Sequence, residues 1–289
     1  MEFRGSYVAI VTPFLNGAID EKRFAELIEF QIKGGTDGIL ICGTTGEAAT
    51  MSTQEHKAHL KAAVELIDGR VPVLAGTGSN STSEAIDLTS FAKKAGCDAA
   101  LIVTPYYNKP TPEGQYRHFR EIASTVDIPI MLYNVPGRTG ISMLPSTIAR
   151  LSEIDNIVAV KEASGSIQQV ADIMQLSDIT VMSGDDALTF PFMSLGARGV
   201  VSVVANIIPG KVHELVRSYL DGQHELSRSL HFEIMELCHS MFIETNPLPV
   251  KTSLALMGRI KEEWRLPLCE MMPDNRKKLE SVLRKYKLI

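Results

Sequence analysis

Cysteine is scarce in this chain. The four that occur, Cys42, Cys97, Cys238 and Cys269, lie far apart and form no C-x-x-C pair. Reduced thiols in a cytoplasmic protein are therefore the expectation. Long apolar runs are missing as well: none approaches the ~20 residues that span a bilayer. The start, Met1-Glu2-Phe3-Arg4-Gly5, has no apolar h-region, so neither a signal peptide nor a membrane partner is expected. A basic stripe is lacking too, and the net charge is -5, which argues against nucleic acid. Histidine offers one close pair, His56 and His59, inside the charged stretch Gln54-Glu55-His56-Lys57-Ala58-His59. With no third ligand nearby, no metal is expected, and the stretch reads as a solvated helix face.

What the chain does have is apolar mass: 45% of 289 residues are hydrophobic, ample for a large core. Short runs rich in Val, Ile and Leu recur at Tyr7 to Thr12, Gly38 to Cys42, Val71 to Ala75, Ala99 to Thr104, Ile128 to Tyr133, Ile157 to Lys161, Thr180 to Ser183 and Gly199 to Val204. They lack strict alternation, as parallel strands covered on both faces do. Their starts are mostly about 30 residues apart, the length of a βα unit. Helix signals fill the gaps. Asp20 can cap a helix from Glu21 to Lys33 that Gly34-Gly35 ends, and Ser52 or Thr53 opens another. Ser81-Thr82-Ser83-Glu84 reads as a capping box, and Pro112-Glu113 opens a segment through Thr125. Eight units predict an α/β fold, a (β/α)8 TIM barrel. An open dinucleotide-binding sheet is disfavoured, because Gly76-Thr77-Gly78-Ser79-Asn80-Ser81 lacks the third glycine of that fingerprint. After Pro209 the pattern is helical only. Residues 1–224 are thus expected to form the barrel and 225–289 a C-terminal helical appendage.

In such a barrel the chemistry sits at the C-terminal ends of the strands. There one lysine stands out: Lys161 ends the apolar run Ile157-Val158-Ala159-Val160-Lys161. A buried amine without a partner tends toward its neutral, nucleophilic form. An ion pair with Glu162 is geometrically poor, since strand neighbours point to opposite faces. Tyr133 holds the corresponding place one βα period earlier. Gly43-Thr44-Thr45-Gly46-Glu47 reads either as a tight turn or as a cradle of N–H and hydroxyl groups for a small carboxylate. Arg138, in Pro136-Gly137-Arg138-Thr139-Gly140, has a fork suited to a carboxylate. Thr104-Pro105-Tyr106-Tyr107-Asn108-Lys109-Pro110 is a stiff aromatic loop, fit for an interface or for catalysis. Of Asp185 and Asp186, the second reads as a helix N-cap rather than a metal ligand.

Together Gly43-Thr44-Thr45-Gly46-Glu47, Tyr133-Asn134-Val135-Pro136-Gly137-Arg138-Thr139-Gly140 and Val160-Lys161-Glu162-Ala163 resemble the pyruvate-dependent class I aldolase superfamily. Arg138 and Tyr107 narrow the resemblance to its dihydrodipicolinate synthase family. The likeness runs from Gly5-Ser6-Tyr7 to Asn246-Pro247-Leu248-Pro249-Val250-Lys251. It implies that Lys161 forms a Schiff base with pyruvate and that Thr45 holds the pyruvate carboxylate. The Val201 carbonyl would lie near the imine. Tyr133 would shuttle protons through Thr44 and a Tyr107 reaching in from a neighbouring subunit. Arg138 would bind the carboxylate of aspartate semialdehyde. The resemblance further implies a homotetramer built as a dimer of dimers, a place in lysine and diaminopimelate biosynthesis, and no cofactor. A lysine feedback site would involve Ala49, His56, Asn80, Glu84 and Tyr106, although Ala48 and Thr53 depart from the lysine-sensitive pattern. A sugar-acid lyase of the same superfamily would share Lys161, Tyr133 and the threonines, but Arg138 argues against it.

Overall fold

The structure, a computed structural model, describes residues 2–289. Eight parallel strands close into a barrel: β1 (Gly5–Ala9), β4 (Gly38–Ile41), β5 (Val73–Gly76), β6 (Ala99–Val103), β7 (Ile130–Asn134), β8 (Ile157–Glu162), β9 (Thr180–Ser183) and β10 (Gly199–Ser202). Closure comes from β1, which pairs with β10 on one side and β4 on the other. Between β1 and β4 lie a small hairpin, β2 (Phe14–Leu15) with β3 (Ala18–Ile19), and α1 (Glu21–Lys33). The other helices flanking the barrel are α2 (Thr53–Ile67), α3 (Thr82–Ala95), α4 (Pro112–Thr125), α5 (Pro136–Thr139), α6 (Pro145–Ser152), α7 (Ile167–Leu176), α8 (Thr189–Ser194) and α9 (Pro209–Leu220). Helices α10 (His224–Ser240), α11 (Leu248–Leu256) and α12 (Pro273–Lys285) form the C-terminal part.

Several ends follow the local chemistry anticipated for them. The Asp20 carboxylate accepts from the Arg23 amide, and Ser52 accepts from Glu55. Helix α4 occupies the predicted span, with Thr111 as its cap. Other details differ. The first strand ends at Ala9, because the Val11 amide is taken by the Asn206 side chain. The last ends at Ser202, because the Asp186 carboxylate takes the amides of Val203 and Val204 at 2.9 Å each. Asp186 is therefore not the N-cap; Asp185 is, accepting from Ala187. The capping box at Ser81 does not form either. Ser81 Oγ meets Ser83, and the Glu84 carboxylate accepts instead from the Ser79 hydroxyl.

The His56 to His59 stretch is not a solvated face. His56, His59, Leu60, Ala63 and Ile67 form one buried stripe of α2, the spacing of a helix face packed on a sheet. The Nε2 of His56 lies 2.9 Å from the Gly76 carbonyl, and that of His59 lies 3.3 Å from Thr12 Oγ1. Burial pushes both imidazoles toward the neutral form, His59 down to about 4. The charges of this stretch, Glu55 and Lys57, are half-buried and flank that stripe.

The barrel interior is filled by Tyr7, Leu40, Leu74, Leu101, Met131 and Met182, among others. Leu230, Ile234, Leu237, Leu279 and Leu283 of the C-terminal helices share a second cluster with Val8, Ile39 and Ile41 of the strands. The appendage thus packs into the core around the barrel.

Where β1 meets β10, Gly199 pairs with Gly5 at φ +154, and a Cβ there would stand 1.9 Å from the Gly5 carbonyl oxygen. Gly199→Ala is expected to destabilise the fold by about 3 kcal/mol, since neither backbone can retreat without opening the closure. Urea unfolding checks this; an unchanged midpoint would show that the seam yields.

Candidate active site

The pairing of β7 with β8 puts the Cα of Tyr133 directly opposite that of Lys161. Side chains alternate along a strand, so Lys161 shares the inward face of β8 with Ala159, and Glu162 faces outward. The outward carboxylate is consumed by Asn134 Nδ2 at 2.9 Å and the Ser164 amide at 2.7 Å. Lys161 is 5% exposed, with Nζ 4.5 Å from the centre of the Tyr133 ring. Burial brings its amine down to about 8; the Asp186 carboxylate opposes this and Arg138 reinforces it. Roughly one such amine in ten is neutral at pH 7, against far fewer for a solvated lysine. Burial also raises the Tyr133 phenol, with Arg138 and a hydrogen bond from Thr44 working against it. Gly184 keeps space for the lysine, since a Cβ there would come within 3.1 Å of Lys161 Cε.

The turn after β4 is closed by its own amides. Gly46 donates to the Gly43 carbonyl and Glu47 to that of Thr44, both at 3.1 Å. Thr44 is exposed to the cavity, and Thr45 is buried. Thr45 Oγ1 accepts from Asn246 Nδ2 at 2.9 Å, which leaves the hydroxyl hydrogen free to donate elsewhere. Arg138 sits on the one-turn helix α5, its Nη2 donating to the Asn246 carbonyl at 2.9 Å. The C-terminal part therefore touches both Thr45 and Arg138 through one residue.

A cavity of about 430 Å³ is lined by Thr44, Tyr133 and Arg138 together with His56, Glu84 and Tyr106. Ala49 lines it as well. Asn80 lies beside this group, its Nδ2 donating to the Tyr106 carbonyl. Val201 is buried in the barrel interior with Tyr133 and Ala159. Tyr107 is apart from the rest: it is 89% exposed, outside its own chain's cavity, at φ +69. Among the described residues no cluster of His, Cys, Asp or Glu is arranged to hold a metal ion.

The sequence profile of the Dihydrodipicolinate synthetase family matches residues 2–286. The chain belongs to the dihydrodipicolinate synthetase family. The 4-hydroxy-tetrahydrodipicolinate synthase of Geobacter sulfurreducens is 55% identical over 289 residues, covering 99% of this chain and 100% of that protein. The chloride-inhibited dihydrodipicolinate synthase from Acinetobacter baumannii, solved in complex with pyruvate, superposes with a TM-score of 0.97 at 44% identity, covering 99% of each chain. Dihydrodipicolinate synthase from Cyanidioschyzon merolae with lysine bound gives 0.96 at 40% identity, again over 99% of each chain.

Sequence reasoning about this dihydrodipicolinate synthetase family member left Asn246 without a role. It lies some 200 residues from Thr45 in the chain, and no local spacing announces the contact. The only signal is that Asn246-Pro247 opens the last stretch on which the resemblance rests.

The lowered amine has a kinetic signature. The initial rate at which cyanoborohydride traps pyruvate on the enzyme should rise about tenfold per pH unit up to roughly pH 8 and then level, as protonated Lys161 gives way to the free amine. A rate still climbing at pH 10 would mean that the amine is an ordinary solvated one.

Proposed function

We infer that the chain is a 4-hydroxy-tetrahydrodipicolinate synthase, condensing pyruvate with L-aspartate 4-semialdehyde. The observation that carries this is the Tyr133–Lys161 pairing, a buried amine beside a phenol that lines the same cavity as Thr44. The neutral amine of Lys161 attacks the keto carbon of pyruvate, whose carboxylate is held by Thr45 and the adjoining turn. Tyr133 supplies the proton with which water leaves, giving a protonated imine. That imine draws electrons from the methyl group, so a proton is lost and an enamine forms. The enamine carbon attacks the aldehyde of the second substrate, held by Arg138 at its carboxylate. The substrate's own amine then displaces Lys161 as the ring closes, regenerating the free lysine. Each proton step passes through Tyr133, with Thr44 beside it. A phenol alone is a poor relay at neutral pH, and neighbouring hydroxyls that share the proton correct this.

Tyr107 is assigned as the third relay hydroxyl, delivered to a neighbouring copy's site; its exposure and its left-handed backbone support this reading. The assembly proposed is the homotetramer, a dimer of dimers. The Val201 carbonyl is placed beside the imine, in keeping with that residue's position in the barrel interior. Residues 1–224 carry the chemistry, and residues 225–289 are read as the helical region that supports it. No described helix is long and apolar enough to cross a membrane; a cytoplasmic setting in lysine and diaminopimelate biosynthesis is the proposed location.

Lys161→Ala should abolish the mass gain that pyruvate and borohydride leave on the protein; trapping on another lysine would overturn the assignment. Arg138→Ala should spare that trapping yet lower condensation with the semialdehyde by roughly a hundredfold, as loss of a bidentate carboxylate grip does. Equal loss of both steps would make Arg138 structural. Lysine is proposed to bind among Ala49, His56, Asn80, Glu84 and Tyr106. A lysine titration of steady-state activity should then show inhibition that Glu84→Gln relieves; no response to lysine would remove this site.

A further inference from the structure

Two buried charges play no part in the chemistry described. Glu47 ends the threonine turn, with its side chain wholly buried and its backbone left-handed at φ +55. Its Oε1 accepts from Nζ of Lys251 on α11, equally buried. Its Oε2 accepts from the Arg265 amide at 3.2 Å. The surroundings are a stack: the Lys251 ammonium lies 4.4 Å and the Arg265 guanidinium 4.2 Å from the centre of the Phe14 ring. Arg265 also grips Glu55 of α2 through both terminal nitrogens, at 2.5 and 2.6 Å.

Such a pair is a poor device for stability, since desolvation of both charges offsets most of their attraction. It does specify geometry. A non-glycine residue in the left-handed region has to be held there, and Glu47 is held at both carboxylate oxygens. Its own amide closes the turn on the Thr44 carbonyl. The segment running from Asn246 to Lys251 thus reaches the turn twice, once at the Thr45 hydroxyl and once at the Glu47 carboxylate.

We propose that the buried Glu47–Lys251 pair is the positioning device of the carboxylate cradle. Glu47 and Lys251 are positioning residues that fix Thr45 for the keto acid without touching it. The proposal rests on the reading of that turn as the pyruvate carboxylate site. It assigns the C-terminal helices a part in substrate recognition as well as in packing.

Lys251→Met tests it, removing the charge and keeping most of the volume. The half-saturating pyruvate concentration should rise roughly tenfold to a hundredfold, the scale of a misplaced binding group. The turnover at saturating pyruvate and the half-saturating semialdehyde concentration should stay near native, the pattern of lost binding rather than lost chemistry. A merely structural pair would lower the unfolding temperature and the active fraction but leave pyruvate half-saturation unmoved, and that result overturns the proposal. If Lys251→Met does not fold, the double variant Glu47→Gln with Lys251→Met, which buries no unpaired charge, should fold and show the same rise. Native pyruvate affinity in that variant overturns the proposal, as does failure of both variants to fold, for the pair would then hold the fold. Thr45→Val is measured alongside. If it leaves pyruvate affinity unchanged, the cradle reading itself fails; if it alone weakens pyruvate, only the role of the pair fails.

Discussion

The structure turns on keeping one amine out of water without giving it a carboxylate. Among the described residues two lysines are buried, and the contrast between them is instructive. Lys251 has Glu47 as a direct partner, and the carboxylate opposes the downward push of burial on its amine. Lys161 has the Tyr133 ring beside it and only the more distant Asp186 to favour its charge. The same residue type is thereby an ion-paired cation in one place and the proposed nucleophile in the other. For Lys161, the fall from 10.5 to about 8 corresponds to about 3 kcal/mol held against the folded state. The sign is fixed by proton count. Between pH 8 and 10.5 the unfolded chain binds more protons at this site than the folded one, so this contribution to stability improves as pH rises through that window. Below pH 8 the full cost applies. That is a large share of a typical folding free energy of 5–15 kcal/mol, and the apolar clusters around and inside the barrel offset it.

Strand alternation is what makes such a burial feasible. One residue further along β8, Glu162 would neutralise the design if it faced the same way. The pleat sends it outward, where Asn134 and Ser164 satisfy it. The parallel register then sets Tyr133 level with Lys161 on the neighbouring strand, with no loop involved. Lys161 and Tyr133, the proposed nucleophile and proton carrier, are therefore placed by the most rigid part of the molecule. Thr45 and Arg138, the groups proposed to meet substrate carboxylates, sit on a turn and a one-turn helix, where the chain needs outside support. Asn246 supplies it to both.

The same division explains how much was legible in the sequence. The barrel was readable because parallel strands buried on both faces must be continuous apolar runs, and their period is a property of the βα unit. The level placement of Tyr133 and Lys161 followed from that period alone. The fate of His56 and His59 was misread because the charges between and around them dominate a linear window, whereas Leu60, Ala63 and Ile67 define the buried stripe only when wound on a helix. Asp185 and Asp186 were interchanged for a similar reason. A cap is decided by local torsion angles, while the longer-range demand of two free amides at Val203 and Val204 captures the second carboxylate. Contacts from the C-terminal helices to the threonine turn cross some 200 residues, and no pattern within either segment encodes them.

The exposed tyrosine completes the physical picture. Tyr107 combines an almost fully exposed aromatic ring with a left-handed backbone. Each is unfavourable in an isolated chain: the ring leaves apolar area in water, and the torsion costs about 1 kcal/mol. Within its own chain the residue makes no return on either, whereas the loop that bears it is braced, with Asn80 and Asn108 bonding across its base. A braced loop that presents an exposed phenol on a left-handed backbone supports the proposal that another surface meets it. Tyr133, its phenol raised by burial and its nearest hydroxyl that of Thr44, is the group in need of a further proton carrier. On the relay proposed above, supply and need are matched between copies of the chain, and the proton relay, unlike the nucleophile, belongs to the proposed assembly.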